Sequence, residues 1–195
     1  MVTGARGSEK SVLQFQQAVR LLLAVAGLAA AAQFSFAIPG TDIPQTGQTI
    51  AVLLSGAMLR PGQAALAVTL YLLAGLLGLP VYSDGGSGWS ALSGISAGYF
   101  AGFVAAAYFC AVLIPAKRQA MILFNTGVFI IAHGLILALG WAWMSLEIGA
   151  RTALSEGVTP FIYGGLVKSL ICASLLYGWH WLLSWQPWSR QCPGQ

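Results

Sequence analysis

Long apolar runs separated by short polar breaks set the pattern of this chain, at about 19–38, 48–59, 63–79, 91–114, 121–143 and 161–185. Crossing the hydrocarbon core of a bilayer as a helix takes about 20 residues, with a lower limit near 17. Every run but 48–59 meets that limit, and the short one predicts a steeply set or partly broken helix. Glycine and proline punctuate the boundaries, as at Pro39-Gly40, Pro61-Gly62, Pro80 and Pro160. The many interior glycines suit helices that pack closely. No internal repeat, low-complexity linker or second domain is visible. The pattern predicts an all-α fold: an integral membrane bundle of six transmembrane helices forming one domain over 1–195. A short polar tail at about 1–18 and a polar end at about 186–195 flank it.

Charge orients the bundle. Arg6 and Lys10 precede the first run and Arg20 lies at its start, and Arg60 lies between the second and third. Lys117 and Arg118 lie between the fourth and fifth, and Arg190 follows the sixth. Six spans put all of these on one side, and the positive-inside rule makes that side, with both termini, cytoplasmic. The opposite loops hold Arg151 together with Asp42, Asp84, Glu147 and Glu156. A cleavable signal peptide is the competing reading, because Ala29-Ala30-Ala31-Ala32 resembles a cleavage region. The apolar stretch there exceeds the usual ~7–15 residues.

Composition agrees. The chain is 57% hydrophobic and 7% charged, whereas soluble domains average about 25% charged residues. Lipid must therefore be the solvent for most of the surface. The net charge of +4 is scattered singly between apolar runs, which argues against a nucleic-acid surface. Cys110, Cys172 and Cys192 show no CxxC or Cys/His spacing, so neither a disulfide framework nor a structural zinc is expected.

One charge is out of place. Lys168 lies inside the last apolar run, about 12 Å beyond Pro160 at 1.5 Å per helical residue. A lysine at membrane depth costs about 2.5–3.5 kcal/mol on insertion scales and marks a functional site by default. The plain alternative is that it snorkels outward or pairs with a loop acid such as Glu156 or Asp84. Polar and aromatic residues gather on the same outer side. The loop 38–48 carries two prolines with Gln45 and Gln48, whose amides both donate and accept. The loop 80–90 carries Tyr82, Asp84 and Trp89 in a glycine- and serine-rich backbone that suits a lid over a small amphipathic ligand. Its aromatics could equally anchor the membrane interface. Tyr99 and Tyr163 sit in or near apolar runs. Asn125 and His133 fall in the fifth run, where hydrogen bonding between helices is the expected role.

Several segments, in order, resemble one membrane family. Ile43-Pro44-Gln45-Thr46-Gly47-Gln48-Thr49 resembles its "VPxTxQT" stretch. Tyr71-Leu72-Leu73-Ala74-Gly75-Leu76-Leu77-Gly78-Leu79-Pro80-Val81-Tyr82 is similar to its "YLLLGxxGLPVF". Gly94-Ile95-Ser96-Ala97-Gly98-Tyr99 is similar to "GPTGGY", and Thr159-Pro160-Phe161 through Lys168 follows "PFxxGDxxK". The family is BioY, the biotin-binding substrate component (S component) of energy-coupling factor transporters, and the resemblance covers about residues 33–176. It implies six helices with cytoplasmic ends and capture of biotin on the outer face of the cytoplasmic membrane. Docking on a transmembrane coupling protein driven by two cytoplasmic ATPase subunits would follow, although some family members act without that module. No cofactor belongs to the chain itself, no enzyme activity is implied, and no Gly-x-x-x-x-Gly-Lys phosphate loop is present. Small residues of the first helix form the docking surface in such families. Here Ala26 with Ala30, or Gly27 with Ala31, supply that spacing, which ordinary packing would also explain.

The family's aspartate three residues before the lysine is Gly165 here, and the "GPT" turn is Gly-Ile-Ser. This removes an acceptor for the ureido N–H groups and a counter-charge for Lys168. Asp84 is then expected to replace the missing carboxylate from across the pocket. The ligand set is Lys168 as charged anchor, with Gln45, Gln48 and Asp84 as polar partners and Tyr82, Trp89, Tyr99 and Tyr163 as walls. Biotin offers a carboxylate, a polar ureido ring and an apolar thioether body to match. Three other readings stay open: an S component for a different vitamin or small carboxylate, a membrane enzyme, and a structural subunit without ligand. An enzyme would need a nucleophile with a base, or metal ligands, in reach. His133 and His180 fall in different runs. A structural subunit leaves Lys168 unexplained.

Overall fold

The computed structural model describes residues 3–39, 41 and 43–185, with 3–10 as helical backbone alone. Gly40, Asp42, Arg190, Cys192 and the end at 186–195 lie outside the described residues, as do the side chains of Arg6 and Lys10. Eight α-helices follow in order among the described residues: α1 Thr3–Ala32, α2 Gln48–Met58, α3 Pro61–Leu76, α4 Gly88–Ser93, α5 Ala97–Leu113, α6 Ile122–Ile148, α7 Ala150–Gly157 and α8 Phe161–Ser184. Three segments are long and apolar enough to cross a membrane, Ser11–Ala32, Ile122–Ile148 and Phe161–Ser184, while α2, α3 and α5 are apolar but shorter.

The run at 91–114 is not one helix. Gly94 ends α4 in an extended conformation, and α5 starts three residues later. The polar stretch before the first apolar run is helical too, since α1 runs unbroken from Thr3. The loop before α2 contains two short antiparallel strands, β1 Ser35–Phe36 and β2 Gln45–Thr46, with Ser35 opposite Thr46. They fold this loop back over the end of α1. An added helix, α7, follows α6 across Gly149, whose φ of 84° lies in the region that favours glycine.

Glycines let the helices approach. A Cβ on Gly56 of α2 would stand 2.6 Å from the Ala107 carbonyl oxygen of α5. Gly102 of α5 has Ile136 of α6 at 2.9 Å from the same position. Small residues at crossings maximise dispersion contact where lipid offers no hydrophobic drive between helices. Outside this core stand exposed apolar side chains, among them Leu77, Leu123 and Leu146. Such a surface is tolerated in hydrocarbon and not in water.

α2 sits inside the bundle, in contact with α1, α3, α5 and α8. Its 11 residues rise about 16 Å, and a non-helical segment, 43–47, leads into it. Irregular backbone of this kind is tolerated in a membrane bundle where protein surrounds it. At one end of the bundle Arg20 and Arg60 line a common groove. Gln119, beside Lys117 and Arg118, donates to the Ala57 carbonyl at the same end, 2.9 Å away. The 43–47 segment, Asp84 and α7 lie at the opposite end.

Candidate functional site

A cavity opens at the end away from Arg20 and Arg60. It holds about 660 Å³ of empty space, counting its open mouth. The 43–49 segment, Ser83, the first turns of α5, the middle of α6 and the start of α8 line it. Its walls are apolar at Phe100, Phe103, Ile136 and Phe161, and its polar groups come from Gln45, Gln48, His133 and Lys168.

Lys168 enters from α8. Its ammonium donates to the Thr46 carbonyl at 2.7 Å and to Thr49 Oγ1 at 3.2 Å. Among the described residues it pairs with no carboxylate, so neither Glu156 nor Asp84 neutralises it. Two oxygens without net charge leave the cation electrostatically unsatisfied, and an ammonium has a third N–H to offer. An anionic or strongly polarised oxygen is the group that such a site favours.

The two glutamines differ. Gln48 is buried and held at both ends: its Oε1 accepts from Thr46 Oγ1 at 2.9 Å, and its Nε2 donates to the Tyr71 hydroxyl. Tyr71 in turn donates to the Val81 carbonyl at 3.0 Å. This chain of bonds ties the start of α2 to α3 and the following loop. The Gln45 amide has no hydrogen-bond partner among the described residues. It rests against Gly164, where a side chain would overlap it, and is open to a ligand.

The aromatic residues divide between wall and scaffold. Tyr99 lines the cavity with its ring against Gly140, and its hydroxyl donates to the Gly157 carbonyl at 2.6 Å. Tyr82 is outside the cavity. Its ring packs on Gly75 and edge-on to Tyr71, and its hydroxyl donates to the Leu72 carbonyl. Trp89 stands on α4 with 68% of its surface exposed. Tyr163 is 81% exposed and lines an apolar groove on the outside of α8 instead.

Asp84 does not reach the cavity. It is exposed, has a φ of 55°, and accepts from Ser35 Oγ at 3.4 Å. It is not among the residues that line the cavity, so in this structure it does not take the place of the carboxylate missing at Gly165. His133 does face the cavity, and its Nδ1 lies 3.1 Å from Ser169 Oγ of α8. That is the expected bond between helices. Asn125 makes none of that kind; it donates to the Arg118 and Gln119 carbonyls at 3.2 and 2.9 Å, holding the turn that enters its own helix. Thr46, Thr49, Phe100 and Phe103 are cavity residues that the sequence reading did not single out. The first two lie inside the quoted Ile43–Thr49 segment. On α1, Ala26, Gly27 and Ala30 are exposed, whereas Ala31 turns inward with its carbonyl against Gly47.

The fold and cavity define a multi-pass membrane protein that can enclose a small ligand. The chain matches the BioY family over residues 7–184 and belongs to it. It is 31% identical over 153 residues to the biotin transporter BioY2 of Lactococcus lactis, covering 77% of this chain and 83% of that one. It is 33% identical over 137 residues to the biotin transporter BioY of Thermotoga maritima, covering 70% and 80%. Its fold is similar to that of a crystallised S-component for biotin from an ECF-type ABC transporter. The TM-score is 0.74 at 17% identity, over 89% of this chain and 94% of that one.

Proposed function

We infer that the chain takes up biotin across the cytoplasmic membrane as the S component of an energy-coupling factor transporter. The observation that carries this reading is the Lys168 ammonium, uncompensated by any described carboxylate, inside an apolar-walled cavity. Biotin supplies an oxygen for the cation, a ureido ring for the Gln45 amide and an apolar body for Phe100, Phe103 and Phe161. Family membership and relatives called biotin transporters support the ligand.

In this reading α1, α2 with its extended entry, α3, α5, α6 and α8 are the six spans. The Arg20 and Arg60 end faces the cytoplasm with both termini, following the positive-inside rule. Biotin enters from outside past the 43–49 segment and Ser83. The open strip of Ala26, Gly27 and Ala30 is the docking face for the coupling protein, and the two ATPase subunits spend the ATP. The chain itself catalyses nothing. Cells lacking their own biotin uptake test the reading. Expression of this chain with a coupling module should restore accumulation of labelled biotin, uncompeted by excess thiamine, riboflavin or lipoate. Restored uptake of another vitamin in place of biotin refutes the ligand.

A further inference from the structure

Gly165 and His133 face each other where α6 meets α8. A Cβ on Gly165 would stand 3.2 Å from His133 Cδ2, so the imidazole occupies the space a larger residue 165 would need. His133 is 7% exposed, and what is open of it lines the cavity. Its hydrogen is placed by its neighbour. Ser169 Oγ donates to the Gly165 carbonyl at 2.8 Å, and a hydroxyl has one proton to give. With that proton directed to the Gly165 carbonyl, the tautomer that also satisfies the 3.1 Å contact between Ser169 Oγ and His133 Nδ1 is the one with its hydrogen on Nδ1. Nε2 keeps a lone pair. The ring also has a hydrogen bond with the Phe129 backbone one turn earlier on α6, and among the described residues the one fully sealed side-chain polar atom without a partner is Asn125 Oδ1. Nε2 thus opens on the cavity. The neutral ring also avoids setting a second cation beside Lys168.

Resting on the biotin reading above, we propose that His133 Nε2 is the specificity-determining acceptor of the site and takes a ring N–H of the ligand. An acceptor on α6 and a cation on α8 ask one ligand for an N–H donor and an anionic or carbonyl oxygen. A cyclic urea attached to a carboxylate offers both kinds of group; a plain aliphatic carboxylate offers only the second. A buried acceptor left unpaired penalises any analogue that cannot donate.

The test is calorimetric titration of the full chain with biotin and with biotin methylated on one or the other ureido nitrogen. Methylation at one of the two positions should weaken wild-type binding at least tenfold. His133→Leu should weaken biotin by a similar factor and bind that methylated form about as well as biotin itself. His133→Gln, which returns an acceptor, should recover part of the difference. Wild-type affinity for biotin in His133→Leu, or undiminished discrimination against the methylated form, overturns the assignment alone. No biotin binding by the wild type overturns the ligand and the assignment with it. Nitrogen NMR of a ring-labelled His180→Gln protein, which leaves one imidazole, decides the matter without altering His133. The expected spectrum has an unprotonated Nε2 whose resonance shifts when biotin is added; a protonated or unmoved Nε2 contradicts the proposal.

Discussion

The Lys168 ammonium lies 2.7 Å from the Thr46 carbonyl oxygen and joins α8 to the extended entry of α2, 122 residues away in sequence. The same nitrogen reaches Thr49 Oγ1. These two bonds hold the cation in the cavity and keep it from snorkelling to the interface. Thr49→Val keeps the shape and removes one of them. It should weaken biotin about 3- to 10-fold, in line with one hydrogen bond to a charged group, with little change in thermal unfolding. Titration of the purified variant checks this.

Asp84 gives the opposite expectation. It is exposed and bonded to Ser35 at the rim, and a surface carboxylate there is screened by water and salt. Asp84→Asn should bind biotin within about twofold of wild type. A loss comparable to that from altering Lys168 would bring Asp84 back as the cavity's counter-charge.

Gly140 positions the Tyr99 wall. A side chain there would overlap the tyrosine ring, and overpacking a close helix contact typically costs about 1–3 kcal/mol. Gly140→Ala should lower the unfolding temperature and weaken biotin together. Tyr99→Phe keeps the ring and loses only the bond to the Gly157 carbonyl. It should cost about 1 kcal/mol of stability and leave affinity nearly intact. Paired thermal melts and titrations separate the two.

Gly165→Ala probes the α6–α8 contact. The added methyl meets His133 Cδ2 at a distance tighter than ordinary contact, so the imidazole must shift by a few tenths of an ångström. Biotin affinity should fall several-fold while α8 stays folded, with helix content by circular dichroism unchanged.

Much of the bundle could be read from the sequence because hydrophobic patterning and charge sidedness are strong signals along a membrane chain. The ends of α6 and α8 lie close to their apolar runs, and Arg20 and Arg60 share a groove as their sidedness implied. The division of α4 from α5 was hidden, because Gly94 breaks the helix within an unbroken apolar run. At the site, Lys168 stood out because a charge at depth is rare. Tyr82 did not declare itself as scaffold, since its role depends on Gly75, Tyr71 and Phe100 meeting it in three dimensions. The place of Asp84 was not legible because loop position gives no direction; in the structure it is exposed and bonded to Ser35 instead of lining the cavity. His133 read like any polar residue bridging helices, and only the structure sets it between Ser169 and the cavity.

The central claim is that the cation in the cavity exists to hold biotin, and titrating the purified chain with biotin before and after Lys168→Ala tests it most directly. The account predicts saturable one-to-one binding by the wild type and a loss of about 30-fold or more in the variant, the cost of removing one partner of a buried charged contact. Equal affinity in both proteins would contradict it.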